Sequence, residues 1–340
     1  MAPRSDPLHL ADAWRALSGL PGDKGWRSTH LASIGTSRVL AGKHMPEDME
    51  ALLLGFGNVR LPPASELPSG RGFLVEAVRD PALPGVALIA LARQPGASLD
   101  LFEAMAQDLV FLLRAEEGTA DARVVVHRVI ARIRAWQEFM QRDRSGILGG
   151  EDEIGLHGEL HILMGLIEGL GNAAAAVDAW EGPLHGLHDF VLSVGAIEVK
   201  STASAVGFRA TISSLDQLDP AMRSPLHVAA VRLAEDAAGM TLPERVTVAR
   251  ARISEASAAA EQAFSLRLLR FGYIDAMAGH YTRRLKVVDV RLFAVSGGFP
   301  VLTTRSVPQG VVSAHYVIDL DALGLPITSL TDVLQNTGLP

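Results

Sequence analysis

The chain has 340 residues, 48% hydrophobic and 20% charged, a balance that suits a folded protein with a sizeable core and excludes a disordered one. It contains no cysteine, which excludes disulfides and thiolate metal sites and fits a reducing compartment. The net charge of -7 falls wholly in the second half, because residues 1–150 carry 17 Lys+Arg against 17 Asp+Glu and residues 151–340 carry 14 against 21, which argues against a broad basic surface there.

The opening Met1-Ala2-Pro3-Arg4-Ser5-Asp6 lacks the basic start and apolar core of a signal peptide. No apolar run approaches the roughly 18 residues of a spanning helix, so a cytoplasmic protein without a membrane partner is expected. Leu8, Leu10, Trp14 and Leu17 predict a short amphipathic helix within residues 7–20. From Trp26 to Val39 the pattern weakens into short strands ending at Ser37-Arg38-Val39-Leu40. Residues 70–78 and 85–92 read as better strands around a turn at Pro81 to Pro84. Residues 1–95 are therefore expected to form a small β-rich domain.

Residues 96–148 are expected to be connecting helices. Ser98 can cap a helix over 99–114 that aligns Leu101, Met105, Leu109 and Leu112. A second, over 121–141, repeats Val125, Val129, Ile133, Trp136 and Met140 every three or four residues. Its other face carries Arg123, Arg128, Arg132 and Arg134, which suit a solvated face, a phosphate-contacting ridge or a domain junction.

The third region, 149–340, opens with Gly149-Gly150-Glu151-Asp152, read as a loop. A helix over 153–169 follows, with Leu156, Leu160, Leu163, Met164 and Ile167 apolar and Glu159 beside that stripe. His157 and His161 are spaced to share a metal, and with His185 and His188 a zinc site is geometrically open. Their order is not H-E-x-x-H, and partly buried histidines are the plainer reading. Strands are expected over 208–212, 227–234, 287–295 and 316–320, and helices over 242–253 and 255–269. Strands and helices thus alternate as in a mixed α/β sheet flanked by helices. No repeat, P-loop, dinucleotide fingerprint or Gly-x-Ser-x-Gly elbow occurs.

Within this region, residues 188–202 (His188-Asp189-Phe190-Val191 to Glu198-Val199-Lys200-Ser201-Thr202) place acids and a lysine in a run of β-formers around Val194-Gly195. Alternation puts Glu198 and Lys200 on one face and Ile197 and Val199 on the other. A reversal at Gly195 brings Asp189 nearly opposite Glu198 or Lys200. Two carboxylates this close repel unless a cation lies between them, and hard oxygen ligands suit Mg²⁺. A nearby lysine can position or deprotonate water, or stabilise an anionic transition state. The same residues also suit a surface ion pair worth a few tenths of a kcal/mol.

With Asp189 as first acid and Glu198-Val199-Lys200 as an E-x-K element, the hairpin resembles the PD-(D/E)XK nuclease superfamily. Its flanks, Gly155-Leu156-His157-Gly158-Glu159-Leu160, Trp180-Glu181-Gly182-Pro183 and Ile212-Ser213-Ser214-Leu215-Asp216-Gln217-Leu218, resemble a bacterial group of PD-(D/E)XK members of unknown function and roughly this length. His188 stands where a proline usually precedes the first acid. The resemblance implies a restriction-endonuclease-like core over 149–340 and a Mg²⁺-dependent nuclease, Mn²⁺ substituting, acting on DNA in restriction or defence, with a protein partner and a dimer both compatible. Asp189, Glu198 and the Val199 carbonyl would bind metal, Lys200 would act on water and phosphate, and Glu159 would complete the site, with Gln217 and Ser201 as accessories. A nuclease should also gather Arg209, Arg283, Arg284 and Lys286 around the acids. The rival expectation is a non-catalytic interaction or nucleic-acid-binding module that keeps the fold.

Overall fold

The computed structural model describes residues 9–19, 25–57, 59–70, 72–80, 83–119, 121–142 and 147–336. Pro7, Leu8, Leu20, Arg71 and Pro81, used in the sequence expectations, lie outside them, as does the segment 1–6. The chain divides into two compact units, Met1–Gly146 with Ile274–Ala276, and Ile147–Tyr273 with Met277–Pro340.

The first unit holds a five-stranded antiparallel sheet in the order β1-β2-β3-β5-β4, formed by β1 (Gly25–Ile34), β2 (Ser37–Met45), β3 (Met49–Gly57), β4 (Phe73–Val78) and β5 (Val86–Arg93). Helices α1 (Leu10–Leu17), α2 (Leu99–Ala115) and α3 (Ala122–Arg142) fall within the same unit. Ser98 caps α2 by accepting from Leu101 N at 3.3 Å. The arginines of α3 are engaged locally: Arg123 with Asp121, Arg128 with Glu116, buried Arg132 with Asp108, and Arg134 with the Glu66 carbonyl. That row is therefore no free basic ridge.

The second unit is built on a four-stranded sheet, β10-β9-β7-β6, from β6 (Phe190–Val191), β7 (Ala196–Thr202), β9 (Leu226–Met240) and β10 (Leu285–Ala294). β7 runs parallel to β9, and the other two pairs are antiparallel. A two-stranded ribbon of β8 (Arg209–Ile212) and β11 (Tyr316–Asp319) lies apart from it in pairing. The helices are α4 (Gly150–Leu170), α5 (Ala173–Ala179), α6 (Leu242–Ala256), α7 (Ala258–Phe271) and α8 (Leu330–Asn336). Both sheet faces are covered. Ile197, Val199, Ala229 and Val231 pack against Leu156, Leu160 and Leu163 of α4 and Phe264 of α7, while Ala196, Val228 and Ala230 pack with Phe208, Ala210, Ile212 and Ile318.

Four short devices fix these helices. Glu151, Asp152 and Glu153 lie in the first turn of α4, where negative charge complements the helix dipole, so the segment expected as a linker or loop is helix from Gly150 on, with Gly149 as N-cap. Gly171, at φ 59, ends it in the left-handed conformation that glycine adopts without strain. Thr241 and Glu244 form a reciprocal capping box on α6. Ser257 ends α6 and caps α7 through Ala260 N at 3.2 Å.

Candidate active site

β6 and β7 pair in a register of Phe190↔Ile197 and Val191↔Ala196, which extends to place Asp189 opposite Glu198. Gly195, at φ 88, makes the reversal. An ion pair forms, Lys200 Nζ lying 2.9 Å from Glu198 Oε1, but it runs along one strand and not across the hairpin, and it is not on the surface, since the Glu198 side chain is only 4% accessible. With Glu198 buried and Gln217 set against it, this is no surface hairpin.

Three further segments converge there. Gln217 Nε2 donates to the same Glu198 oxygen at 2.7 Å, while its Oε1 accepts from Ser213 N, also at 2.7 Å. The His188 ring is 3.1 Å from the Gln217 carbonyl, so the residue in the proline position ties the first acid's strand to the Gln217 loop. Asp189 Oδ2 accepts from Val199 N at 2.7 Å. From the α4 side, buried Glu159 accepts from the Trp180 indole at 2.7 Å. Arg267 of α7 donates to the Trp180 carbonyl at 2.8 Å, and the ring of Trp180 packs on Phe190 and Phe264.

Glu159 approaches because α4 comes close to β7 at Gly158, where a Cβ would collide with Ser201 Oγ. Ser201, expected as an accessory, therefore faces the helix, on the strand face opposite Glu198 and Lys200. Gly182 borders the acids: a Cβ there would lie 2.8 Å from Asp189 Oδ1 and 3.0 Å from Glu159 Oε2.

Electrostatics distinguish this cluster. Burial, then repulsion from Asp189, pushes the Glu198 carboxyl up to about 8, against the opposing Lys200 and Gln217 contacts. Burial and the Asp189 charge likewise raise Glu159 well above the usual carboxylate range. Asp189 is raised by burial, opposed by the Val199 N–H and Lys200. One ammonium does not balance three buried carboxylates, and a divalent cation would. Among the described residues no three His, Asp or Glu side chains gather tightly enough to enclose an ion by themselves. The donor set fits Mg²⁺ nonetheless, because that ion is usually held by one or two carboxylates and keeps several waters.

The other expected groups lie elsewhere. His157 Nδ1 accepts from Arg245 Nε at 2.9 Å and His188 is turned to Gln217, so the four histidines form no zinc set. Arg283 is committed to Glu153 and Arg284 to Glu244, which leaves two of the four expected cations paired away from the acids. Lys286 is exposed on β10, and Arg209 is exposed on the ribbon. Trp180 and Gly182 carry no assigned role in the sequence, and His188, open there to a zinc set, instead meets the Gln217 carbonyl; all three adjoin the motif, but their roles depend on tertiary contacts.

No curated protein and no solved structure matches the chain significantly. No described helix is long and apolar enough to cross a membrane. A family model described as "Putative PD-(D/E)XK family member, (DUF4420)" matches residues 10–321. With a mixed α/β fold and the match spanning both compact units, the chain belongs to this PD-(D/E)XK family.

Proposed function

We propose that this protein is a metal-dependent nuclease that hydrolyses phosphodiester bonds of DNA in the cytoplasm, in restriction or defence together with a protein partner. The observation that carries this reading is the convergence of Asp189, Glu198 and Lys200 on paired strands, with Glu159 and Gln217 closing on them from two further segments.

Asp189, Glu198 and the Val199 carbonyl would hold Mg²⁺, or Mn²⁺ in its place. When bound, the ion would polarise the phosphate and lower the pKa of coordinated water. Gln217 fixes the Glu198 carboxylate and so sets the direction of its oxygens. Lys200 neutralises Glu198 and is placed to orient water and offset charge on the phosphate. Glu159 is oriented by Trp180 and can accept a proton from water held beside Asp189.

A second reading, a binding module on the same fold, draws on the acidic balance of residues 151–340 and on the pairing of Arg283 and Arg284 with acids. Calorimetric titration of Mg²⁺ and Mn²⁺ into wild type and Asp189→Ala, followed by cleavage assays on plasmid and single-stranded DNA, separates them. The nuclease binds metal, loses that binding in Asp189→Ala, and loses at least about 100-fold in kcat in Lys200→Ala. Full cleavage by either variant, or no metal binding by a folded wild type with DNA present, sinks the nuclease reading.

A further inference from the structure

Gly182 is not among the residues at positive φ; it opens the short 3₁₀ turn Gly182–Leu184, where the following Pro183 already disfavours a side chain in the helical region. What singles it out is the 2.8 Å from its missing Cβ to Asp189 Oδ1 and the 3.0 Å to Glu159 Oε2. None of the three partners can step aside. Asp189 is held by its other oxygen to Val199 N, and Glu159 Oε2 is itself held by the Trp180 indole. The turn is pinned as well, because Glu181 N and Gly182 N both donate to the Asp189 carbonyl, at 2.8 and 3.0 Å.

We infer that Gly182 is a positioning residue whose lack of a side chain lets the turn pack against Asp189 and Glu159 and so holds the two carboxylates in the arrangement they offer to one small hydrated cation. This rests on the metal-dependent reading above and adds to it a bare-backbone wall that sets what the acids admit. A methyl group at 182 would press on both acids, since 2.8–3.0 Å is closer than a carbon and an oxygen ordinarily approach without bonding, and would push one or both carboxylates from these positions.

The test uses the full chain and Mn²⁺ as probe, with folding followed by circular dichroism and thermal melting. Gly182→Ala is expected to fold and to bind Mn²⁺ at least about 10-fold more weakly, a loss of about 1.4 kcal/mol. If the methyl prevents folding, Glu159→Ala and Glu159→Ala/Gly182→Ala are compared. There the methyl has room on one side but still abuts Asp189 Oδ1, and the double variant is expected to bind more weakly. Unchanged Mn²⁺ affinity in either pair overturns the inference. If wild type binds no Mn²⁺, the metal-dependent reading fails instead, and the contact is judged by stability alone. Gly182→Ala should then cost less in the Glu159→Ala background than in wild type, and additive costs refute it.

Discussion

Trp180 and Glu159 are joined by a 2.7 Å hydrogen bond between an indole N–H and a carboxylate, both buried, 21 positions apart in the chain. Replacing the indole with a phenyl ring keeps most of the packing on Phe190 and Phe264 but leaves the carboxylate without this donor. Trp180→Phe is expected to lower stability by about 1–3 kcal/mol at pH 7 in denaturant unfolding. The loss should shrink in a Glu159→Leu background, where no polar group is stranded; an equal loss there would assign the effect to packing.

Glu198 gives a pH dependence of unusual sign for a carboxylate. Its folded pKa, about 8, exceeds the ordinary 4.5, so between these values the folded chain keeps a proton that the unfolded chain releases. Metal-free protein should therefore lose stability as pH rises from about 5 to 8. Glu198→Gln, which keeps an acceptor for Gln217 and Lys200, is expected to flatten that decline and to gain on the order of 2 kcal/mol at pH 8. Denaturation midpoints at the two pH values check this, and a wild type more stable at pH 8 contradicts it.

His157 acts in the opposite direction. Burial first, then the charges of Arg245 and Arg283, lower it to about 3 from 6.5. Below pH 6.5 the unfolded chain takes up a proton that the folded chain refuses, so this residue removes stability as pH falls towards 3. His157→Gln retains an acceptor for the Arg245 Nε–H and should give a shallower acid limb, read from unfolding midpoints between pH 4 and 7. An unchanged acid limb would show that His157 does not titrate as its surroundings dictate.

Gly158 sets helix propensity against close approach. In an open helix, Gly→Ala stabilises by about 1 kcal/mol. Here the Cβ meets Ser201 Oγ, and overpacking costs about 1–3 kcal/mol, so Gly158→Ala should destabilise. Adding Ser201→Gly should recover most of the loss in a double-mutant cycle. Stabilisation by Gly158→Ala alone would mean that α4 has freedom to move off β7.

The hairpin was legible because strand alternation and a glycine reversal constrain where Asp189, Glu198 and Lys200 can point, whatever surrounds them. Glu159 was legible as a residue beside an apolar stripe, and Gln217 as a residue at the right distance to return. The burial of Glu198 is not legible, because it depends on segments distant in the chain, among them the loop that brings Gln217 onto it. β3 escaped notice because Ala51 to Phe56 is a continuous apolar run without period, buried on both faces. The first turn of α4 reads as a loop in the sequence because Gly149, Gly150 and the acids after them suit either conformation, and the acids favour the helix only through its dipole. Arg283 and Arg284 looked like phosphate ligands in the sequence, since nothing local reveals Glu153 and Glu244 as their partners.

The parallel pairing of β7 with β9 sets Glu198 beside Val228, and the two acids that join it come from Asp189 and from a helix as far back as Glu159. The hairpin supplies Asp189 and Glu198 locally, but Glu159 has no local path to them. Contacts between distant segments form late, because chain closure must precede the interactions that reward it. Glu159 therefore meets the hairpin acids only once α4 has docked on β7, which makes the third carboxylate a reporter of tertiary folding that the hairpin by itself cannot supply.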